Sequence, residues 1–276
     1  MNTTVTRSIS GIVFLAVMIG GLLGGRYCFT ALFLFIQGVM MQEFYRITMG
    51  DRHKVVRGAA ETLALCAFCL VFVFTGPESF PVKYFGIVLL LLVGLLIGMV
   101  VDHKDFKEYA YVLSGLLYIG LPLALSPFVV STGEGGYSGL LMLAFFIIIW
   151  SSDVGAYCFG MVFGQKIWPA KMCPEISPKK SWAGFFGGWL TVLVAAYILI
   201  RTGMIDFPVV HVLVMASLMH VTGVFGDLFE SLWKRQFGVK DSGNIMPGHG
   251  GLLDRFDSAL FAIPIAYVYL MLFDLV

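Results

Sequence analysis

Charged side chains are scarce in this sequence. Asp, Glu, Lys and Arg make up only 13% of its 276 residues, whereas soluble globular chains contain about 25%. The charges of the 18 basic and 17 acidic residues nearly cancel. The chain therefore has no large positive net charge that would favour binding to nucleic acid. Because 59% of the residues are hydrophobic, so little charge cannot keep the chain in solution as a globular or disordered protein. The composition instead predicts a polytopic membrane protein.

The sequence also lacks a cysteine framework. It has five cysteines, and Cys66 and Cys69 have the C-x-x-C spacing, but Leu65, Phe68 and Leu70 surround them. This setting favours buried small hydrophobic residues over a redox pair or a zinc site. No internal repeat is evident either, which weakens the hypothesis of a transporter built from inverted repeats.

Long apolar segments are what the sequence has instead. A membrane-spanning helix needs roughly 20 mostly apolar residues, because the hydrocarbon core is about 30 Å thick. We therefore predict an all-α, polytopic integral membrane protein with about nine transmembrane helices and a polar, cytoplasm-facing cavity in its C-terminal half. The predicted segments are 8–25, 27–45, 59–76, 84–101, 109–130, 138–160, 182–201, 208–229 and 256–274.

The basic residues predict how these segments are oriented. Fifteen of the 18 Lys and Arg residues fall on alternate hydrophilic pieces, beginning with the N-terminus, and the other pieces hold only Arg26, Lys83 and Arg201. Since cytoplasmic loops are enriched in Lys and Arg, we expect a cytoplasmic N-terminus and an external C-terminus. In a bacterium this orientation would place the protein in the inner membrane, with the polar residues of the C-terminal half facing the cytoplasm.

The polar residues predict two regions. Both long polar pieces, 161–181 and 226–257, lie in the C-terminal half. We therefore expect a transmembrane scaffold of about five helices in residues 1–130, and a catalytic region of about four helices and two cytoplasmic loops in residues 131–276.

The piece 226–257 concentrates charge in a chain that otherwise avoids it. If Asp227 begins the cytoplasmic end of a helix, Ser231 and Lys234 share its face, and Asp254 and Asp257 likewise share a face. Acidic residues do nothing for topology and are costly at the end of a span unless they are paired. Carboxylates beside Lys and Arg can hold Mg²⁺ against a polyphosphate. The intervening glycines, at 248, 250 and 251, let backbone N–H groups approach an anion.

A second candidate element lies in the piece 161–181. Ser177-Pro178-Lys179-Lys180 reads as a turn in which two ammonium groups project beside a hydroxyl, as a polyphosphate site would need. A simple pair of cytoplasmic cations is the alternative. Asp153 follows an apolar run, and it is either a helix-capping acid at the membrane interface or the partner of a lysine or metal.

These residues resemble the signature of the phosphatidate cytidylyltransferase family, also called CDP-diglyceride synthases. Two departures are Trp233, where the family has a smaller apolar residue, and Ala183, where it commonly has Glu; Ser181 stands where Thr is common. The first half of the chain matches in hydropathy and length more than in motif. The matching positions are Ser231, Lys234-Arg235, Lys240-Asp241, Gly243, Pro247, His249-Gly250-Gly251, Asp254-Arg255-Phe256-Asp257, Asp153, Gly160, Gly164 and Ile176–Lys180.

The resemblance implies a nucleotidyltransferase that transfers a cytidylyl group from CTP to phosphatidic acid, giving CDP-diacylglycerol and pyrophosphate. From the carboxylates available we expect Mg²⁺ to be held by Asp227 and Asp254, with room for a second cation. Membrane lipids would surround the protein, a homodimer is compatible with it, and no nucleic acid is involved. The expected catalytic residues are Lys240, Asp241, His249, Arg255 and Asp257, and the expected substrate-binding residues are Ser177, Lys179, Lys180, Ser231, Lys234, Arg235, Gly250 and Gly251.

Two roles and two other functions stay open at this point. His249, which has no second Cys or His at ligand spacing, would donate to phosphate or shuttle a proton rather than bind zinc. Asp257 would be a further metal ligand or would orient Arg255. A CTP-dependent transferase acting on another lipid phosphate or a polyprenol is one alternative function, and a membrane transporter is the other.

Overall fold

The computed structural model describes residues 3–50, 53–77, 81–101, 106–132, 135–165 and 167–276. Within these residues, nine helices are long and apolar enough to cross a membrane, and they coincide with the nine predicted segments to within several residues at each end. The all-α membrane fold is therefore confirmed. Arg52, Lys104 and Lys166, which were counted in the predicted orientation, lie outside the described residues.

The chain divides into two compact units. The first contains residues 1–139 and 241–255, and the second contains residues 140–240 and 256–276. This division differs from the one predicted at residue 130, because residues 241–255 group with the N-terminal helices. The N-terminal helices therefore belong to the same compact unit as the candidate site residues of 241–255.

Helices make up most of the first unit. A 3₁₀ turn, Val82–Phe85, precedes α4, and a π-helical stretch, Leu116–Gly120, separates α5 from α6. A short antiparallel hairpin of β1 (Ser131–Thr132) and β2 (Gly136–Tyr137) closes the helical part. The helices are α1 (Thr3–Leu23), α2 (Arg26–Met49), α3 (Lys54–Phe74), α4 (Gly86–Val101), α5 (Phe106–Gly115), α6 (Leu121–Ala124) and α7 (Ser126–Val130).

The core of the first unit is built on α2. Its apolar residues Phe29, Phe33, Ile36 and Met40 recur at helical spacing and are almost completely buried. The ring of Phe29 packs against that of Phe33, with centroids 4.3 Å apart. The same buried side of α2 also carries Glu43, a carboxylate that an apolar core would not accept without hydrogen-bond partners.

Among its described residues, the second unit contains three membrane-length helices and most of a fourth, which begins with the short α11 at the end of the first unit. Its small sheet pairs β3 (Lys171–Cys173) with β4 (Ser177–Ser181) in antiparallel register. Helices α8 and α9 pack closely because small residues face each other; a methyl group on Gly155 would lie 3.1 Å from the Cα atom of Gly188. The helices are α8 (Leu140–Val162), α9 (Trp182–Arg201), α10 (Val209–Gln236) and α12 (Ala259–Leu272); α11 (Leu253–Phe256), which precedes α12, has its first three residues in the first unit.

Three local predictions are corrected. Residues 177–180 form most of strand β4 rather than a turn, because they pair with β3. Helix α10 continues to Gln236, beyond the predicted end at 229, so Asp227 lies inside a helix rather than at its end. Cys69 is exposed and Cys66 half-buried on the apolar surface of a span, rather than fully buried. All five cysteines are free.

Candidate active site

In the second unit, the predicted cations of β4 and the carboxylate of α10 face one cavity. The cavity has a volume of about 300 Å³, and its wall includes Lys179, Lys180, Asp153 and Asp227. Strand β4 delivers the two lysines because it leads directly into α9. Ser181 begins α9 with an N-cap in which its hydroxyl accepts a hydrogen bond from the backbone N–H of Gly184, at 3.1 Å.

Lys180 and Asp227 form an ion pair in this cavity. The Nζ atom of Lys180 lies 2.8 Å from Oδ2 of Asp227, and it also donates to the carbonyl oxygen of Val224 at 3.1 Å. The Asp227 side chain remains 34% exposed, so this carboxylate is accessible to a ligand. The predicted neighbour Ser231 donates to its Oδ1 atom at 3.3 Å.

Further carboxylates surround this ion pair within the second unit. Asp257 interacts electrostatically with Asp227, Asp153 and Glu230, and its Oδ1 atom accepts the backbone N–H of Ser258 at 2.6 Å. Lys234 pairs with the fully buried Glu230: its Nζ atom lies 2.6 Å from Oε2 of that residue. Asp153 lies within α8, so it is not a helix-capping acid. The second unit thus combines clustered acidity with two lysines in one cavity.

In the first unit, residues 241–252 form a loop that we call the glycine loop. Gly248 and Gly250 have positive φ angles of 78° and 86°, a conformation that other residues adopt only with strain. Asp254 holds the two ends of this loop together: its Oδ2 atom accepts the backbone N–H of Ser242 at 2.9 Å and that of Gly251 at 2.8 Å. The Gly251 N–H that we expected to face substrate therefore donates to Asp254.

His249 is held at the tip of the glycine loop by α1. Its Nδ1 atom is hydrogen-bonded to the Ser10 hydroxyl at 2.7 Å, and Arg7 donates from Nε to the carbonyl oxygen of Gly248 at 3.0 Å. Burial lowers the pKa of the His249 ring, and the positive charges of Arg255 and Arg7 lower it further. The neutral imidazole is therefore favoured, in which one ring nitrogen donates a hydrogen bond and the other accepts one.

The predicted site residues thus fall into two groups. Lys179, Lys180, Asp227, Ser231 and Asp257 lie together in the second unit, and Asp241, His249, Gly250, Asp254 and Arg255 lie in the first. Ser177 is half-buried at the start of β4, and Arg235 and Lys240 are exposed near the end of α10. Since Asp227 and Asp254 belong to different units, their sharing of one ion stays a prediction. Among the described residues, no three His, Cys, Asp or Glu side chains form a metal-binding group.

Sequence reasoning missed the residues of the N-terminal helices that hold the glycine loop. These are Arg7, Ser10 and, most extensively, Glu43, which accepts three hydrogen bonds from residues 242–253. The sequence did contain one signal, Glu43 itself, because an acidic residue inside an apolar segment is costly unless it is paired. Its partners, some 200 positions away, carry no periodic pattern that could have revealed the contact.

The comparisons with known proteins agree with this chemistry. Residues 5–273 match the model of the cytidylyltransferase family. A phosphatidate cytidylyltransferase of Bacillus subtilis (strain 168) is 34% identical over 275 residues, which cover 97% of this chain and 98% of that protein. A phosphatidate cytidylyltransferase of Rickettsia bellii (strain RML369-C) is 38% identical over 188 residues, which cover 65% of this chain and 78% of that protein. The likeness therefore extends into the N-terminal half, where no motif was evident.

Proposed function

The chain belongs to the cytidylyltransferase family, and we propose that it transfers a cytidylyl group from CTP to phosphatidic acid. The products are CDP-diacylglycerol and pyrophosphate, so the protein is a membrane-embedded nucleotidyltransferase of phospholipid biosynthesis. The observation that supports this most directly is the cavity of the second unit, where Lys179 and Lys180 lie beside Asp153 and Asp227. Transfer to another lipid phosphate or a polyprenol, and transport, are not favoured by the relatives.

The reaction joins two anions, and the lysines address that difficulty. A phosphate oxygen of phosphatidic acid attacks the α-phosphorus of CTP; the new P–O bond forms as the bond to pyrophosphate breaks, and the electron pair leaves with pyrophosphate. The attacking oxygen is already anionic near neutral pH, so no strong general base is needed. Lys179 and Lys180 reduce the repulsion between the phosphates and stabilise the charge on the leaving group.

We propose Mg²⁺ as the cofactor, with Asp227 and Asp254 as its protein ligands and a second cation as an option. Mg²⁺ usually binds one or two protein carboxylates together with substrate phosphates and water, and these two residues supply that donor type. Asp227 fits because its side chain is one-third exposed and already binds a cationic group, the Lys180 ammonium. When bound, the metal neutralises phosphate charge and favours departure of pyrophosphate.

An apolar cavity in the first unit offers a place for an acyl chain of the lipid. Its volume is about 530 Å³, and it is lined by α1, α2 and the glycine loop, including Val13, Leu32 and Pro247. Ser10, whose hydroxyl is hydrogen-bonded to His249, also lines this cavity, so one wall of it lies beside the polar tip of the loop. Val13→Phe would fill part of this cavity and should lower kcat/KM for long-chain more than for short-chain phosphatidic acid, whereas Ile12→Phe, at a position that does not line the cavity, should not.

The proposed orientation keeps both groups of site residues near the cytoplasm. The distribution of Lys and Arg supports a cytoplasmic N-terminus and an external C-terminus. The relatives come from bacteria, which supports the inner membrane as the location. The acyl chains would stay in the bilayer while the head group meets CTP at the cytoplasmic side.

An assay of the purified protein in detergent tests the function. Radiolabelled CTP and phosphatidic acid should give CDP-diacylglycerol and pyrophosphate, and a chelator of divalent cations should stop the reaction until Mg²⁺ is restored. A panel with other lipid phosphates and polyprenol acceptors tests the acceptor. Preference for another acceptor would overturn the assignment of phosphatidic acid, and absence of any CTP-dependent pyrophosphate release would return the transporter hypothesis.

A further inference from the structure

We propose that Glu43, on the buried side of α2, is a positioning residue for the reaction, which holds the glycine loop in the conformation that presents His249 and Asp254. This inference rests on the proposed function, because those two residues matter to the extent that the loop takes part in the transfer. It assigns a positioning role to a residue of the N-terminal helices that is far along the chain from every signature motif.

The Glu43 carboxylate connects the two ends of the loop. Its Oε2 atom accepts the Ser242 hydroxyl at 2.9 Å and the backbone N–H of Leu253 at 2.9 Å, and its Oε1 atom accepts the backbone N–H of Leu252 at 3.0 Å. Only 9% of Glu43 is exposed, and Ser242 and Leu253 are buried as well. Water therefore cannot readily replace these hydrogen bonds, and their loss would leave donors unpaired.

Two glycines of the loop are explained by the same carboxylate. A methyl group on Gly243 would lie 2.3 Å from Oε1 of Glu43, and one on Gly251 would lie 2.5 and 2.6 Å from its two oxygen atoms. No side chain fits at these distances. The absence of side chains at 243 and 251 lets the loop close around the Glu43 carboxylate.

Glu43 acts through residues that Asp254 also holds. Asp254 accepts the N–H groups of Ser242 and Gly251, while Glu43 accepts the Ser242 hydroxyl and contacts the space beside Gly251. A shift of Glu43 would therefore move the donors that fix Asp254. The connection is contiguous, from α2 through Ser242 and Gly251 to Asp254, and it lies wholly within the first unit.

The test is Glu43→Gln in the full-length protein, with Glu61→Gln as the matched control. The amide of Gln has one acceptor oxygen instead of two, and its NH₂ group can only donate, so at least one of the three loop donors loses its acceptor. Glu61 is the other carboxylate that lines the cavity beside Glu43, and its side chain is hydrogen-bonded to Gln42 of α2. We expect kcat of Glu43→Gln to fall by about 10²-fold, as small misplacements of reacting groups do, with smaller changes in KM. The control should keep the wild-type kcat.

Hydrogen–deuterium exchange provides a second reading that does not depend on activity. Peptides covering 242–253 should exchange faster in Glu43→Gln, whereas those of α9 should keep their wild-type rates. A folded Glu43→Gln protein with wild-type kcat, or with unchanged exchange in the loop, would overturn the proposal. If the wild-type protein itself forms no CDP-diacylglycerol, the proposed function fails, and the exchange measurement still decides whether Glu43 orders the loop.

If Glu43→Gln does not fold, Ser242→Ala provides a second test of the proposal. This smaller change removes one of the three donors to Glu43 and leaves the carboxylate in place. Its control is Ser126→Ala, another buried serine of the first unit, whose hydroxyl donates to the carbonyl oxygen of Leu123. We expect lower kcat and faster loop exchange for Ser242→Ala alone, and equal behaviour of the two variants would contradict the role of Glu43.

Discussion

The two proposed metal ligands differ in what holds them. Asp227 pairs with the Lys180 side chain, a mobile partner that can rearrange when a metal ion or a phosphate arrives. Asp254 accepts two backbone N–H groups of the glycine loop, which are part of the fold. The same substitution should therefore have different consequences at the two positions.

Asp227→Asn should abolish turnover while leaving the melting temperature in detergent near that of the wild type, because the side chain is partly exposed. Asp254→Asn should abolish turnover and also lower the melting temperature, since a neutral amide oxygen accepts the two backbone N–H groups more weakly than the carboxylate atom Oδ2 does. Asp206→Asn, an exposed carboxylate of the loop between α9 and α10, is the control and should change neither quantity. Turnover of Asp227→Asn at the wild-type rate would show that Asp227 is not a metal ligand.

His249 gives a pH prediction whose sign follows from its surroundings. Its pKa is lowered by burial and by Arg255 and Arg7, so the unfolded chain takes up the proton first as pH falls below about 6.5. The contribution of His249 to stability is therefore present above its ordinary range and is lost as pH falls through its folded pKa. Arg7→Gln removes one of the causes and should move the His249 midpoint upward in an NMR titration of labelled histidine. Arg201→Gln, at the end of α9, should not; equal midpoints would contradict the assignment.

Among the helices and strands, the membrane-length helices were predictable and the connections were not. Hydropathy alone located nine spans, because burial in lipid is a property of each segment by itself. The end of α10 at Gln236 was missed because the last turns of this helix are polar and contain an ion pair between Lys234 and Glu230, which hydropathy does not register. Strand β4 depends on a partner elsewhere in the chain, since it pairs with β3. Glu43 was missed for the same reason, since its role is visible only once the loop of residues 241–252 is folded against it.

The N-cap of α9 carries a prediction at this scale. Ser181→Ala removes the acceptor for the Gly184 N–H, and the loss of such a cap costs about 1 kcal/mol, or a melting temperature lower by about 2–4 °C. Ser181→Thr keeps a hydroxyl at this position and should retain the wild-type melting temperature. Thermal unfolding in detergent distinguishes the two, and equal stability of Ala and Thr variants would show that the cap contributes nothing.

In the whole molecule, one segment groups in space with helices that are distant from it along the chain. Residues 241–255 carry several signature positions, yet they group with the N-terminal helices rather than with the C-terminal ones around them. The residues that hold this loop, Ser10 and Glu43, come from α1 and α2. Truncating the N-terminal helices should therefore remove part of the site as well as part of the membrane anchor.

The orientation of the whole chain can be tested with its own thiols. Cys173, in β3, should face the cytoplasm, and position 206, between α9 and α10, should face outside. In a variant whose other four cysteines are Ala, a membrane-impermeant maleimide should label Cys173 in inverted vesicles and not in intact cells. Replacing Cys173 as well and introducing Asp206→Cys should reverse this pattern. Labelling of both positions from the same side would mean that α9 does not cross the membrane, and labelling of each from the opposite side would invert the whole topology.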